Sequence, residues 1–192
     1  MRKTVKQINS MAGKLASMDR YSQTRLINPE SVLEHTGYVC MCSLIIARRI
    51  LKNGRSVNIA LLMSKAAVHD IEESITGDIA CPTKYWDASA TSTMKRISDE
   101  ASVMAFRSIG DDDLYEIWAD SKEGFEGQIV SLADKLAVVY KVHQEYALFG
   151  NKTIIGHVSG LIGSLKKMKL ECRKELHEFI DEAILICKEL IE

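Results

Sequence analysis

The spacing of apolar residues predicts helices along most of the chain. Apolar positions recur every three or four residues over long stretches, and no stretch alternates apolar and polar residues between turn signals, as a strand would. Prolines, which interrupt helices, number only 2 among the 192 residues. The pattern therefore predicts an all-α protein, and its length suits a single domain covering residues 1–192.

Turn and capping residues predict where these helices begin and end. Asn28-Pro29, followed by a capping box formed by Ser31 and Glu34, marks the start of the second helix. Glycines follow the expected ends of several other helices. The expected helices cover residues 5–18, 28–52, 58–75, 87–109, 111–119, 124–149 and 158–191.

The last expected helix carries a long apolar stripe with three- and four-residue spacing, which is typical of a buried helix face. Its members are Leu161, Leu165, Met168, Cys172, Leu176, Phe179, Ala183, Cys187 and Leu190. This stripe faces either the core or an oligomer interface. We expect a homo-oligomer, a dimer or a larger assembly.

Charge and composition exclude several classes of partner. The formal net charge is −1 and the charged residues are interspersed, so neither a nucleic-acid polymer nor a membrane surface is an expected partner. No apolar run reaches the ~20 residues that span a bilayer, and the N-terminus lacks the apolar segment of a secretory signal. The 5 cysteines are odd in number and form no CxxC, which predicts reduced thiols in a cytoplasmic protein.

The candidate chemistry lies in two histidines and two aspartates within apolar helical segments. His69-Asp70 follows a long apolar stretch, and His35 and Asp134 lie in two other segments of the same character. Taken alone, each histidine would be a satisfied core residue and Asp134 a hydrogen-bond acceptor between helices. Carboxylates are rarely buried without a partner or a metal, so the four together predict one divalent cation. Nitrogen and oxygen donors without a thiolate suit Co, Mn, Zn or Mg.

The position of Glu73 predicts a catalytic role beside this cation. In a third helix that continues to residue 75, His69 and Glu73 lie one turn apart on the same face, whereas Asp70 is rotated by about 100°. Glu73 would then lie over the ion without binding it. A carboxylate at that place can orient a water molecule for attack.

The order of short motifs along the chain provides a family resemblance. The motifs are Arg20-Tyr21, Glu34-His35, His69-Asp70-Ile71-Glu72-Glu73, Thr76-Gly77-Asp78, Pro82-Thr83-Lys84-Tyr85 and Ala133-Asp134. Spread over residues 12–151, this set resembles the HD-domain phosphohydrolases. Within them it is similar to the small 5′-deoxynucleotidases of the YfbR type and to the phage dATP triphosphohydrolases. The resemblance implies a compact helical HD-domain fold.

The resemblance also implies a role for each matching residue. Glu73 matches the carboxylate that positions the attacking water, and Asp78 matches a second catalytic carboxylate near the leaving 5′-oxygen. The residues that match ligands of a single divalent cation are His35, His69, Asp70 and Asp134.

Further residues are candidates for binding the substrate. By resemblance, Arg20 binds the substrate and Tyr21 packs on the deoxyribose, at a position where the nucleotidases usually have tryptophan. The loop that follows the acidic motifs offers the Thr83 hydroxyl and the Lys84 ammonium for phosphate oxygens. The expected partner is a small-molecule deoxynucleotide.

The activity that the resemblance implies is hydrolysis at the α-phosphorus of a 2′-deoxynucleotide. The interpretation favours dATP, which would give deoxyadenosine and triphosphate, and the alternative is a 5′-deoxynucleotidase that releases phosphate from deoxynucleoside monophosphates. Three further possibilities are an HD enzyme acting on cyclic dinucleotides or alarmones, a non-catalytic helical module stabilised by metal, and a helical interaction protein. Glu73 and Asp78 argue against the non-catalytic module, because a structural metal site needs no extra carboxylates.

Overall fold

The computed structural model describes residues 2–111 and 113–191, with side chains from residue 5 onward. Within these ranges the chain forms ten α-helices and no β-strand, which confirms the all-α prediction. The helices are α1 (Arg2–Ser17), α2 (Val32–Lys52), α3 (Ile59–Val68), α4 (Glu73–Thr76), α5 (Cys81–Lys84), α6 (Ala88–Ile109), α7 (Asp113–Ala119), α8 (Gly124–His143), α9 (Val158–Glu171) and α10 (His177–Glu189). None of the helices described here combines the length and apolar character needed to cross a bilayer.

The main hydrophobic core lies where α2, α3 and α8 pack against one another, and α9 and α10 cover the α8 side. Val39 of α2, Leu62 of α3 and Ile129 of α8 are fully buried in it. Burial of each large aliphatic side chain contributes about 1.5–3 kcal/mol. The core therefore fixes how these three helices lie relative to one another.

A smaller hydrophobic cluster joins α1, α6 and α7 to the turn that follows α3. Leu15, Val68, Ile71 and Phe106 are buried in this cluster, and Trp118 packs at its edge. The turn is consequently held from two sides, through α3 by the main core and through Ile71 by the smaller cluster.

The C-terminal stripe faces the core. Leu165, Leu176, Ala183 and Cys187 are buried among the main-core residues, so core packing accounts for the stripe. The single helix expected over residues 158–191 is wrong, because Cys172 adopts an extended backbone conformation after α9. A 3₁₀ turn, Lys174–Leu176, then leads into α10.

Several predicted helix ends are confirmed. The Glu34 amide donates to Oγ of Ser31 (3.2 Å) and the Ser31 amide donates to Oε2 of Glu34 (2.7 Å), which is the predicted capping box. Asp87 caps α6 and Gly110 ends it in the left-handed conformation. The start expected at Asn28-Pro29 is wrong, since α2 begins at Val32.

The third helix is shorter than the expected 58–75, and this changes the geometry of the site. α3 ends at Val68, and the chain turns through three-residue hydrogen bonds, such as that from the Ile71 amide to the Val68 carbonyl (3.0 Å), before α4 begins at Glu73. The prediction that His69 and Glu73 share one face of a continuous helix is therefore wrong. The apolar pattern concealed the break because Ile71, within the turn, is buried like a helical core residue.

Two other predicted spans differ at their ends. The helix expected over residues 124–149 is α-helical only as far as His143 and then widens into a π-helical turn, Gln144–Leu148. The short helix expected over residues 111–119 begins at Asp113, and Asp112 lies outside the described residues.

Candidate active site

Three packed helices bring the four predicted metal ligands together. His35 lies in the first turn of α2 and Asp134 in the middle of α8, while His69 and Asp70 occupy the turn directly after α3. Because α2, α3 and α8 form the main core, helix packing sets the positions of these side chains. We call these four residues the ligand cluster.

Distances within the ligand cluster match those between ligands of one ion. Nε2 of His35 is 3.4 Å from Oδ2 of Asp70 and 3.2 Å from Oδ1 of Asp134, and Nε2 of His69 is 3.0 Å from the same Asp70 oxygen. One donor atom from each of His35, His69 and Asp70 lies within 4.8 Å of the others. Ligands bound at about 2.0–2.2 Å from a common ion are roughly 3–3.5 Å apart.

The short contacts do not satisfy the histidine nitrogens. Nε2 of His35 and of His69 is buried and, within the described part of the chain, has no hydrogen-bond partner in suitable geometry. Nδ1 of His69 donates to the Ala66 carbonyl (2.8 Å), so in the neutral ring Nε2 carries a lone pair directed at the cluster. Buried lone pairs facing carboxylate oxygens fit a cation placed between them.

Electrostatic interactions keep the carboxylates of the ligand cluster ionised. Burial favours the neutral acid, but the neighbouring His69 and His35 hold the pKa of Asp70 well below its usual range. Burial also raises the pKa of Asp134, but the hydrogen bond with His35 outweighs this effect and lowers the pKa. Burial lowers the pKa of His35, yet Asp134 and Asp70 outweigh it and raise the pKa to about 9. The ionised carboxylates suit a cation, which would compete with the proton on His35.

The ligand cluster is open on its carboxylate side. The side chains of His35 and His69 have 0% exposure, whereas those of Asp70 and Asp134 are 15% and 29% exposed. A ligand from solvent would therefore reach the cluster past the carboxylates. Catalytic metal sites keep such an open position, and structural sites are closed.

Glu73 is a buried carboxylate beside the cluster with one oxygen unpaired. Oε1 accepts a hydrogen bond from Nζ of Lys84 (3.2 Å), and within the described residues Oε2 has no partner. Burial and the charge of Asp70 raise the pKa of Glu73 to about 8, against the opposing effect of Lys84. A carboxyl group that titrates near neutral pH is suited to acid–base catalysis.

Asp78 connects the acidic segment to the loop between α1 and α2. Its Oδ2 accepts a hydrogen bond from the Tyr21 amide (3.1 Å). Tyr21 has φ of 62°, a left-handed conformation that residues other than glycine rarely adopt. Such strained residues cluster at functional sites, where the surrounding structure holds them in place.

The predicted substrate-binding residues differ in how closely they approach the site. Nη1 of Arg20 pairs with Oε2 of Glu30 (3.2 Å), and its guanidinium lies 5.4 Å from the centre of the Tyr21 ring. Lys84 reaches Glu73, as described above. Thr83 is exposed on α5, and among the described contacts none joins it to the ligand cluster.

Sequence reasoning missed three residues near the site. The Trp118 indole donates to Oε2 of Glu72 (2.8 Å), which fixes the residue that precedes Glu73. Nε2 of His157 is 2.9 Å from the Thr24 hydroxyl, and its ring lies edge-on to Tyr21 with centroids 5.8 Å apart. Lys122, in the loop between α7 and α8, has Asp134, Asp70 and Glu72 as neighbouring charges. No motif or periodic spacing in the sequence distinguishes these residues.

Comparison with known sequences agrees with the motifs. The sequence profile described as 5′-deoxynucleotidase YfbR-like matches residues 8–184. A 5′-deoxynucleotidase of Klebsiella pneumoniae is 26% identical over 165 residues, covering 82% of this chain and 83% of that protein. The 5′-deoxynucleotidase YfbR of Salmonella typhi is 28% identical over 143 residues, covering 70% of each chain.

Solved structures share the fold. A conserved hypothetical protein from Pyrococcus furiosus superposes with a TM-score of 0.73 at 26% identity, covering 93% of this chain and 98% of its own. An HD-domain phosphohydrolase from Listeria innocua superposes with a TM-score of 0.72 at 20% identity, covering 97% of this chain and 98% of its own.

The sequence match, the shared helical fold and the ligand cluster lead to one assignment. The matched residues 8–184 include every motif on which the resemblance rested. The chain belongs to the YfbR-like 5′-deoxynucleotidase family, whose members are hydrolases, and it has the fold of an HD-domain phosphohydrolase.

Proposed function

We propose that this protein hydrolyses the bond between the α-phosphorus and the 5′-oxygen of 2′-deoxynucleotides. The observation that carries the proposal is the pair of buried, unpaired nitrogens of His35 and His69 facing carboxylates, with Glu73 alongside. Water adds to the phosphorus, the phosphorus–oxygen bond breaks, and the 5′-oxygen leaves with a proton as the nucleoside. The two relatives compared above, both named 5′-deoxynucleotidases, support this substrate class.

One divalent cation is part of the proposal, with the four residues of the ligand cluster as its ligands. When bound, Co, Mn, Zn or Mg would polarise a phosphoryl oxygen and lower the pKa of a water molecule. A single ion is favoured because the described residues contain one group of donor atoms, from His35, His69 and Asp70, and Asp134 joins it through its oxygen 3.2 Å from Nε2 of His35.

Glu73 and Asp78 are the proposed catalytic carboxylates. The unpaired Oε2 of Glu73 accepts the proton of the attacking water, while Lys84 holds Oε1 and keeps the carboxylate oriented. Oδ2 of Asp78 is engaged by the Tyr21 amide, so its Oδ1 interacts with the leaving 5′-oxygen, directly or through water.

Four residues are proposed to bind the nucleotide. Arg20 and Lys84 neutralise non-bridging phosphoryl oxygens, and the Thr83 hydroxyl adds a donor at the exposed end of α5. The Tyr21 ring, held by the Asp78 hydrogen bond and by its contact with His157, packs on the deoxyribose.

Monophosphates are the leading candidate substrates, because the curated relatives are named 5′-deoxynucleotidases. A dATP triphosphohydrolase is the second candidate, and it would break the same bond. A triphosphate carries about four negative charges and needs several cations besides the metal. Arg20 and Lys84 supply two of them beside the acidic segment. We place either activity in the cytoplasm, where cysteine thiols stay reduced.

A product assay tests the proposal and separates the two candidates. The protein is loaded with Mn or Co and incubated with deoxynucleoside monophosphates, deoxynucleoside triphosphates and ribonucleoside triphosphates. Release of nucleoside with inorganic phosphate identifies a nucleotidase, and release with tripolyphosphate identifies a triphosphohydrolase. Absence of nucleoside from every substrate contradicts the proposal.

The Lys84→Ala variant sharpens the choice between the two substrates. A lysine that contacts only the α-phosphate affects dAMP and dATP equally. A lysine that also neutralises the β- and γ-phosphates lowers kcat/KM for dATP more than for dAMP. Equal losses would remove the charge argument for a triphosphate.

A homo-oligomer is proposed from an exposed apolar surface on α2 and α10. Met41 and Ile45 on α2 are 60% and 61% exposed, and Leu185 on α10 is 57% exposed. Tyr38 and Tyr140 line a groove of about 510 Å³ between these helices and α8. Light scattering is expected to show a dimer or larger assembly that Ile45→Glu dissociates. A wild-type monomer would exclude the oligomer.

We also infer that residues 1–192 form a single domain. Leu165 of α9 and Ile180 of α10 are buried in the same core as residues of α2, α3 and α8, so the C-terminal helices complete that core. A single cooperative unfolding transition is expected by calorimetry. Two separate transitions would contradict a single domain.

A further inference from the structure

We propose that Lys122 binds the phosphate oxygens of the nucleotide at the open side of the ligand cluster. This assignment depends on the proposed function and extends it, since Lys122 belongs to none of the motifs that the family resemblance rests on. Three features support it: the way its loop is held, the charges near its side chain, and the pairing of the other cations.

A buried lysine of α3 holds the loop that carries Lys122. Nζ of Lys65 donates to the carbonyls of Asp120 (2.6 Å) and Glu123 (2.8 Å), which flank Lys122 on either side. Lys65 is only 6% exposed. Charge-assisted hydrogen bonds of this length are strong, so the loop has a defined position relative to α3 and to the turn that bears His69 and Asp70.

The same loop rests on α8, the helix that carries Asp134. A Cβ added at Gly127 would lie 2.3 Å from the carbonyl carbon of Lys122, so only glycine allows the backbone to approach α8 this closely. Trp118, which precedes the loop in α7, donates a hydrogen bond from its indole to Glu72, the neighbour of Glu73. The loop is thus fixed against α3, α8 and the acidic segment, each of which contributes to the site.

The Lys122 side chain is exposed, and the charges that act on it belong to the site. The surrounding protein removes part of the hydration of the ammonium, which lowers the pKa of Lys122, although the residue as a whole keeps contact with solvent. The charges of Asp134, Asp70 and Glu72 outweigh this effect and raise the pKa, so the ammonium is charged. Asp134 and Asp70 are also the cluster residues with solvent exposure. Because its loop is fixed against α3, α8 and the acidic segment, Lys122 is near these exposed carboxylates, past which a substrate would arrive.

Lys122 differs from the other cations of the site in being unpaired. Lys84 pairs with Glu73 and Arg20 pairs with Glu30, whereas Lys122 makes no ion pair with any carboxylate whose side chain is described. A phosphate entering a cluster of carboxylates is repelled unless cations lie at the entrance. Lys122 can contact phosphate without giving up an existing partner, which makes it available for this role.

The experiment compares Lys122→Met with the wild type in the metal-loaded protein. Inorganic phosphate and tripolyphosphate are titrated by calorimetry, and KM and kcat are measured with a nucleotide that the wild type hydrolyses. We expect both anions to bind about tenfold more weakly to the variant and KM to rise by a similar factor. Metal content and melting temperature should match the wild type, because the side chain is exposed.

Two further variants act as controls. Lys188→Met removes the same charge from an exposed lysine on α10 and should leave anion affinity and KM unchanged. Lys122→Arg keeps a cation in the loop and should retain most of the anion affinity. Anion binding equal to that of the wild type in Lys122→Met would overturn the proposal.

The competing explanation is that Lys122 only reduces repulsion between Asp134, Asp70 and Glu72. In that case Lys122→Met would bind the metal more tightly without a change in anion affinity or KM, and the proposal would be refuted. A wild type that hydrolyses no nucleotide would refute the proposed function, while the anion titrations would still test Lys122. A wild type that is active, with an unaffected Lys122→Met, would refute only the role of Lys122.

Discussion

Two groups of buried charged residues each include a residue of α8 or of the π-helical turn that continues it, and they differ in how their polar atoms are paired. The first is the ligand cluster with Glu73 beside it. The second, which we call the Glu145 cluster, consists of Glu145 in the π-helical turn with Lys141, Asn151 and the backbone of residues 27–28 around it.

Every polar group of the Glu145 cluster has a partner. The Glu145 carboxylate accepts hydrogen bonds from the amides of Ile27 and Asn28 (2.8 Å each) and from Nδ2 of Asn151 (2.7 Å). Nζ of Lys141 lies 3.6 Å from Oε1 of Glu145 and also donates to the Asn28 carbonyl. The cluster connects the end of α8 to the segment that leads from Tyr21 into α2.

The ligand cluster leaves comparable atoms unpaired. Among the described residues, Nε2 of both histidines and Oε2 of Glu73 are buried without a hydrogen-bond partner. Each such atom costs about 1–3 kcal/mol of stability. The comparison indicates that the Glu145 cluster serves folding. The unpaired atoms of the ligand cluster and of Glu73 carry a cost in stability, which fits their proposed roles in binding the cation and in the reaction.

The largest expected effect is that of Asp70→Asn. This change removes the carboxylate oxygen that both histidines face, so metal content should fall to near zero and activity to background. The metal-free variant should melt close to the metal-free wild type. Metal analysis, nucleoside release and calorimetry measure the three quantities, and Asp181→Asn on the surface is the matched control. Turnover in a metal-free preparation would contradict the scheme.

Glu73→Gln should separate chemistry from metal binding. Because the proposed role of Glu73 is to take a proton, kcat should fall by about 10²–10⁴-fold while metal content stays unchanged. KM should change little. The measurement is steady-state kinetics beside metal analysis, and a loss confined to KM would make Glu73 a binding residue.

Glu145→Gln should reduce stability instead of chemistry. It leaves Lys141 without its anionic partner, and breaking a buried ion pair costs about 3–5 kcal/mol. Denaturant unfolding measures this loss, and Glu182→Gln, exposed on α10, is the control. At a temperature where the variant is folded, its metal content should match that of the wild type.

The difference in stability between the wild type and Glu145→Gln should depend on pH. Burial would raise the pKa of Glu145, but hydrogen bonds from Asn151, Ile27 and Asn28 hold it below its ordinary value of 4.5. The carboxylate therefore contributes its stability above about pH 4.5, and the contribution is lost as the pH falls through the folded-state pKa. The gap in unfolding free energy between wild type and variant should shrink on acidification. A gap independent of pH would contradict this account.

Besides weakening phosphate binding, Lys84→Met should have a second and smaller effect, a shift of the pH profile. The Lys84 ammonium lowers the pKa of Glu73, so its removal should raise that pKa. If Glu73 must be deprotonated to act, the acidic limb of kcat/KM moves to higher pH in the variant. An unchanged or lowered limb would show that Glu73 is not the titrating base.

The two clusters also differ in whether they can be predicted from the sequence. The ligand cluster was predicted because His69-Asp70, His35 and Asp134 are unusual residues in apolar helical segments. Nothing local distinguishes Glu145, whose partner Ile27 is 118 positions away. The hydrogen bonds of Glu145 to the amides of Ile27 and Asn28 hold the segment that precedes α2, and Ser31 caps the helix at its actual start.

By itself, the sequence determined the helical class, the caps of α2 and α6, and the candidate ligands and carboxylates, because these depend on residue type and on neighbours within a few positions. The tertiary structure alone decided that α3 ends before His69, that the C-terminal stripe faces the core, and that Lys122 and His157 lie near the site. These features arise from contacts between distant segments, whose burial and hydrogen bonding outweigh local helical preference.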